Sequence, residues 1–298
     1  MKIYEFTQVF PDDDSCRMHF KAVREKEGIE CKKCGCQKHY WLQAKWQWQC
    51  SSCRFRTTLR SGTIMEGAKL SFYKWYLCMA LMSATKKGIS ALEMQRQLGH
   101  KRYRTIWVLM HKIRNGMGKR DDRYSLEGTL ELDEGYFEVV NQSKEKLKRG
   151  RGSQSKKNVA VMAESTPLEN PETGKKSSHF RYAKMKALNT HKAPEINKIT
   201  SENIQNDAVI ITDKSTSYED FSALFATHIS VKSDKTVTKT TLKWVHVTIS
   251  NAKRNLLGVY HMMNSQYLQN YLNEFCYRLN RRYFGERPFN QLVIAVAN

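Results

Sequence analysis

Residues 129–140 read TLELDEGYFEVV. Leu130, Leu132, Tyr136 and Val139 suit a β-strand, and Gly128 precedes the run. The same stretch carries Glu131, Asp133, Glu134 and Glu138, in a chain of 298 residues with 50 Lys and Arg against 29 Asp and Glu and a net charge of +21. A buried Asp is costly unless it is paired or holds a metal. A second run, AVIITDKSTSY (208–218), has the same form: four apolar residues, then Asp213 where the strand should end. Two such carboxylates on neighbouring strands repel each other, and a divalent cation relieves the repulsion. Mg²⁺, or Mn²⁺ in its place, suits carboxylate and water ligands, and two-metal phosphoryl transfer needs an acidic pocket of this kind. A basic surface that gathers a polyanion and an acidic pocket that receives its phosphate are compatible features of one protein. Glu131 shares the strand face of Asp133 and is a further candidate for the site. Glu134 points to the other face and reads as structural or solvent-facing.

Around these two runs the pattern is mixed α/β. NVAVMAES (158–165) and HFRYAKMKAL (179–188) read as strands, and HKAPEINKITSENI (191–204) as a helix. The run from Asn251 to Phe284 reads as mostly helical, with Tyr271, Leu272, Phe275 and Leu279 as its apolar stripe. Glu274 on that helix is a second-rank candidate for the metal site, and Arg278, Arg281 and Arg282 are candidates for DNA contact. Residues 144–157, KEKLKRGRGSQSKK, read as a basic loop that solvates a hairpin or grips phosphates. SLEG and STPLENPETGKKSS read as turns or insert loops. No glycine-rich phosphate loop is present, so ATP use is not indicated.

Further toward the N-terminus, CKKC and CSSC place Cys31, Cys34, Cys50 and Cys53 as two C-x-x-C pairs fifteen residues apart. This spacing predicts a tetrahedral four-thiolate Zn²⁺ site in a zinc ribbon. The module is too small for much core of its own, so the metal would hold its fold. Cys16, Cys78 and Cys276 read as packing residues, and Cys36 and His39 as unused donors. Lys32, Lys33, Lys38, Trp46, Arg54 and Arg56 give the ribbon a content suited to nucleic acid. Next come LSFYKWYLCMALMSA (70–84), then ISALEMQRQLGH with Ser90 and Glu93 at capping-box spacing, then KRYRTIWVLMHKIRNGMG. In the last of these, Ile106, Leu109, Met110 and Ile113 share one face, while Lys101, Arg102, Arg104, Lys112 and Arg114 lie mostly elsewhere. Helix, short turn and basic helix read as a helix-turn-helix arrangement, with a plain three-helix connector as the alternative.

The expected organisation is therefore multidomain: a zinc ribbon with an N-terminal extension (1–60), a helical DNA-binding domain (61–125) and an α/β domain (126–298). The sequence pI near 9.6 favours a polyanion, with double-stranded DNA first and an anionic membrane surface second. No run of about 18 apolar residues suggests a membrane span. The start MKIYEFTQVFPDDDSC does not read as a secretory signal, which leads to an expectation of a cytoplasmic, nucleoid-associated protein with reduced or metal-bound cysteines.

ELDEGYFE, IITDKSTSY, VHVTISNAKRNLLGVYH and YLNEFCYRLNRRYF, behind a zinc ribbon and a helical domain, resemble a bacterial insertion-sequence transposase. The likeness is to the IS-fifteen-ninety-five family, with its ISXO-type transposase domain, and covers nearly the whole chain. The resemblance implies an RNase H-like catalytic domain and DDE-type DNA transposition. It makes Asp133 and Asp213 the first two catalytic residues. The third is usually a Glu seven residues before a basic residue. With Lys253 as that basic residue, the count falls on His246, a departure from the common Glu, and Asn251 is the other polar candidate. The implied partners are terminal inverted repeats, target DNA and further copies of the chain in a synaptic complex. Two other readings stand beside it: a zinc-ribbon and helix-turn-helix regulator with a catalytically inactive remnant, and a structure-specific nuclease on the same fold.

Overall fold

The computed structural model describes residues 2–85, 87–140, 155–169, 174, 176–190, 192–232, 240–261, 263–283 and 287–297. The chain forms two compact units, Met1–Lys119 with Tyr283–Asn298, and Arg120–Arg282.

In the first unit, helices α1 (Ile3–Val9) and α2 (Asp13–Glu27) precede a three-stranded antiparallel sheet of β1 (His39–Leu42), β2 (Gln47–Cys50) and β3 (Arg56–Thr58). Asp12 starts α2, its side chain accepting from Ser15 N–H at 2.7 Å. Positions 17, 21 and 24 lie along one stripe of α2. Their cations cover a row of ribbon tryptophans: Arg17 over Trp46, Lys21 over Trp41 and Arg24 over Trp48, at 5.0–5.4 Å from the ring centroids. The ring of Trp46, part of the content read as suited to nucleic acid, is half-buried under Arg17.

Three helices follow: α3 (Phe72–Ala84), α4 (Ala91–Gln97) and α5 (Tyr103–Asp122). Ser90 caps α4 by accepting from Glu93 N–H at 3.1 Å. The Glu93 carboxylate turns forward to Gln97 and Arg96, so only half of the expected capping box is made. Ile106, Leu109, Met110 and Ile113 are all buried on α5, as their spacing requires. Arg114, read from the sequence as part of the basic face, is instead 1% exposed. The last helix, α10 (Arg287–Ala297), packs on α2 and α3, and Phe289 meets Phe6, Phe10 and Tyr76. The sequence division gave this segment to the α/β domain. Its apolar stripe of Phe289, Leu292, Val293 and Val296 finds its partners in the N-terminal unit.

The second unit is a five-stranded sheet in the order β6-β5-β4-β7-β8. Its strands are β4 (Thr129–Glu138), β5 (Lys156–Glu169), β6 (Lys176–Ala187), β7 (Val209–Asp213) and β8 (Thr227–Val231). The first three form an antiparallel meander, and β4, β7 and β8 run parallel. Helices α6 (Ala193–Asn203) and α7 (Phe221–Leu224) cover one face, where Leu130, Leu132, Ile196, Ile210 and Phe221 form a core. Helices α8 (Lys243–Tyr260) and α9 (Leu268–Asn280) cover the other, over Phe137, Val161, Ile249, Leu256 and Leu272.

Two loop expectations need correction. In STPLENPETGKKSS, Thr166–Glu169 pairs with residues 176–179 as a continuation of the β5–β6 hairpin. Pro167 is tolerated there because β4 pairs with β5 only as far as Ser165, leaving one edge of β5 without a ladder. Of the basic stretch 144–157, residues 144–154 lie outside the described residues, and Lys156 and Lys157 belong to β5.

Candidate active site and zinc centre

Strand β4 alternates cleanly. Leu130 and Leu132 enter the α6 core, so Glu131, Asp133, Gly135 and Phe137 face α8. A Cβ at Gly135 would stand 3.0 Å from the Phe137 ring and 3.4 Å from Ile249 of α8, so a side chain in mid-strand would crowd the Phe137 ring first. Parallel pairing of β4 with β7 sets Glu131 opposite Ile211. Two residues further on, each strand reaches its aspartate, Asp133 on one and Asp213 on the other. Both acids thus stand at the same level on neighbouring strands, at the C-terminal end of β7.

The third side chain comes from α8. His246 Nε2 lies 3.6 Å from Asp133 Oδ2. That nitrogen is buried and has no hydrogen-bond partner among the described residues. Asn251 is five positions along the helix, on another face, where its Oδ1 accepts from Arg254 at 2.7 Å. Of the two candidates for the third position, only His246 is brought to an aspartate.

Asp133 Oδ1 accepts from Glu134 N–H at 2.7 Å, and Asp213 Oδ1 from Ser215 N–H at 3.2 Å. Burial pushes the Asp133 carboxyl above the usual carboxylate range. The charges of Asp213 and Glu134 act in the same sense, and the Glu134 N–H and His246 oppose them. Tyr218, buried in the core on the α6 face of the same strands, has its hydroxyl pushed up by burial and then by Glu134, Asp133 and Asp213. A carboxylate and an imidazole nitrogen 3.6 Å apart are donor types that a divalent cation accepts, but the atoms of Asp133, Asp213 and His246 do not all lie within 4.8 Å of one another as the four cysteine sulfurs do.

Lys253, two turns beyond His246, holds its ammonium 5.7 Å from the Phe137 ring centroid. It lines a cleft of about 560 Å³ with Phe137, Leu256, Leu257 and Lys156.

Other acids and bases read as candidates are otherwise engaged. Glu131 is 4% exposed, and its Oε2 accepts from Trp244 N–H at 2.6 Å and Val245 N–H at 2.9 Å. Burial pushes its carboxyl up to about 7, against the pull of those two N–H groups. Glu134 accepts from Asn158 Nδ2 at 2.7 Å, the structural role expected of it. Glu274 is fully buried and accepts from the Tyr260 hydroxyl at 3.0 Å, with Arg278 at 3.7 Å. It is a core acid within the α8–α9 pair. Arg281, read as a DNA contact, is instead buried against Asp121 at 2.6 Å. The sequence also gave no place to β8, a short strand whose pairing with β7 lies beyond local periodicity.

In the ribbon, the sulfurs of Cys31, Cys34, Cys50 and Cys53 all lie within 4.8 Å of one another. Cys31 Sγ and Cys53 Sγ are 3.5 Å apart, and Cys34 Sγ and Cys50 Sγ 3.6 Å. Tetrahedral zinc with Zn–S bonds of about 2.3 Å needs sulfurs about 3.8 Å apart. The four cysteines therefore fit the ion, and they are the one such close-set group among the described residues. The N–H groups of Cys53 and Ser52 help hold the Cys50 thiol below its ordinary range, while the neighbouring thiols push that of Cys34 up. Cys36 stands outside the four, and Cys16, Cys78 and Cys276 are buried.

Residues 125–280 match the model of the ISXO2-like transposase domain, and residues 11–56 that of the transposase zinc-ribbon domain. The chain belongs to this transposase family. No curated protein matches the chain. Among solved structures, it is similar to a crystal structure of a pre-cleavage Mos1 transpososome, at 9% identity and a TM-score of 0.22, over 71% of this chain and 75% of that one. The ISXO2-like domain match contains Asp133, Asp213, His246 and Lys253, and the zinc-ribbon match contains all four cysteines and α2. No helix of the described residues is long and apolar enough to cross a membrane.

Proposed function

We propose that the chain is a DDE-type DNA transposase that cuts the ends of its own element and joins them to target DNA. The observation that carries this reading is His246 of α8 standing 3.6 Å from Asp133 on β4, with Asp213 at the matching level of β7 by the strand register. Strand order and direction support an RNase H-like domain: a meander of three, then two strands parallel to the first. In this reading Asp133 and Asp213 hold Mg²⁺ or Mn²⁺, and His246 Nε2 completes the donor set. The bound ions would supply charge neutralisation at the phosphate and a more acidic water.

The residues of the chain do the rest. Asp133 and Asp213 fix the reacting phosphate through the site they form. His246, from the opposite wall, sets its depth. Lys253, exposed on α8 beside the cleft, takes a flanking phosphate. Water displaces the 3′ oxygen at the element end. The freed 3′ hydroxyl then attacks a target phosphodiester and expels its 3′ oxygen, with no covalent protein intermediate. The ribbon and the α4–α5 pair, read as a helix-turn-helix, bind the terminal inverted repeats. Two ends must be cut together, so a homo-oligomer forms the synaptic complex, and the protein works on DNA in the cytoplasm.

A strand-transfer assay with labelled element ends and a target plasmid tests this directly. Joined products that need divalent cation support the reading. Cleavage without joining would make the protein a nuclease, and specific end binding without either would make it a regulator.

A further inference from the structure

Helix α8 begins without a cap of its own. The residue before its first turn is Leu242, which has no side chain able to accept a hydrogen bond. The first N–H groups of a helix find no partner inside it. Here two of them, at Trp244 and Val245, point at Oε2 of Glu131, at 2.6 and 2.9 Å. A carboxylate at a helix start also meets the positive end of its dipole. The cap is thus supplied from another element, by a side chain on β4 that is 4% exposed.

The placement links two parts of the site. Glu131 is two residues before Asp133 on the same strand face. Val245, which it holds, immediately precedes His246. One carboxylate therefore fixes the start of α8 to the strand that carries Asp133. From that fixed start, His246 Nε2 reaches 3.6 Å from Asp133 Oδ2. We propose that Glu131 is a positioning residue: by bridging β4 to the first turn of α8, it sets the distance between His246 and Asp133. The proposal rests on the transposase reading of that site. It needs no contact between Glu131 and DNA.

The test is a double-mutant cycle on the full chain, with Glu131→Ala, His246→Ala and the pair. It is read as end cleavage and as Mn²⁺ affinity by titration of the DNA-free protein. Substitutions behind a metal ligand cost about 10- to 100-fold in affinity or activity. Glu131→Ala is expected to lose that much in both readouts, and the pair no more than His246→Ala alone. Glu131→Gln keeps an oxygen acceptor for the two N–H groups and should recover most of the loss. Hydrogen exchange at the Trp244 and Val245 amides should quicken in Glu131→Ala. Losses that multiply in the double variant would overturn the proposal. So would wild-type cleavage and Mn²⁺ affinity in Glu131→Ala. An Asp133→Asn control separates the two levels. If that variant cleaves normally, the reading of the site has failed. If it is dead while Glu131→Ala is normal, only the bridging role has failed.

Discussion

Asn has nearly the shape of Asp but no charge, so Asp133→Asn and Asp213→Asn remove ligand strength from the proposed metal site with little change in packing. Each is expected to lower cleavage by several orders of magnitude and to leave inverted-repeat binding intact, measured by gel shift on the same protein. Near-normal cleavage in either would end the metal-site reading. His246 and Asn251 are separated by the same assay. His246 lies beside Asp133, whereas Asn251 accepts from Arg254. His246→Ala should impair cleavage, Asn251→Ala should leave it within about twofold, and His246→Glu should keep or raise Mg²⁺-dependent activity. A different kind of buried charge gives a pH prediction. Lys184 is 3% exposed and donates to Asn203 at 3.0 Å. Burial, helped by Lys186, pulls its ammonium down to about 8. A lowered folded-state value means the unfolded chain binds the proton more tightly. This residue's contribution to stability therefore rises with pH from about 8 toward the ordinary lysine range near 10.4. The stability of Lys184→Met relative to the parent, by chemical denaturation, should be highest below pH 8 and fall as pH rises. A pH-independent difference would show that Lys184 titrates normally.

At the scale of elements, the ribbon is expected to depend on its metal. Three short strands carry little core, and the four sulfurs already sit at zinc-like separations. One zinc per chain is expected, lost in Cys31→Ser or Cys50→Ser. Chelation should shift the emission of Trp41, Trp46 and Trp48, whose rings lie under Arg17, Lys21 and Arg24. Zinc-free protein with unchanged ribbon fluorescence would argue against a metal-held fold. How much of this was legible in the sequence depended on range. Spacing gave the four cysteines, the apolar face of α5 and the strand with its acid at β4 and at β7, because each is written in local periodicity. The strand alternation also placed Glu131 and Asp133 on one face. It could not show that Glu131 is spent on α8, since that bond joins residues 113 positions apart. Periodicity likewise could not see that the ribbon tryptophans meet cations from α2, that Arg281 meets Asp121, or that Glu274 meets Tyr260. Arg281 was read toward DNA and Glu274 toward the metal site, and each is engaged instead by a partner that local spacing does not single out.

At the scale of the whole chain, a charge of +21 makes association with DNA an exchange of counterions. The logarithm of affinity should fall linearly with that of salt, by roughly 0.9 for each phosphate neutralised. A flat dependence would remove DNA as the main partner. The path of the chain yields a second expectation. It leaves the N-terminal unit after Lys119, builds the sheet that carries Asp133 and Asp213, and returns at Tyr283. The returning helix α10 buries Phe289, Leu292, Val293 and Val296 among residues of α2 and α3 and the aromatic group around Phe6. Each such side chain contributes about 1.5–3 kcal/mol when fully buried. Four together approach the whole stability of an ordinary domain, about 5–15 kcal/mol. Ending the chain at Arg282 therefore removes no residue of the proposed active site but takes away part of the N-terminal core. The truncated protein should lose the thermal transition of its N-terminal unit and its specific end binding. The second unit should keep its own transition, followed by calorimetry alongside hydrogen exchange in β4 and β5. If the truncated chain binds inverted repeats with full affinity, α10 is dispensable to the unit it packs in. If β4 and β5 lose protection as well, the second unit depends on α10 for its fold, contrary to the division of the chain described above.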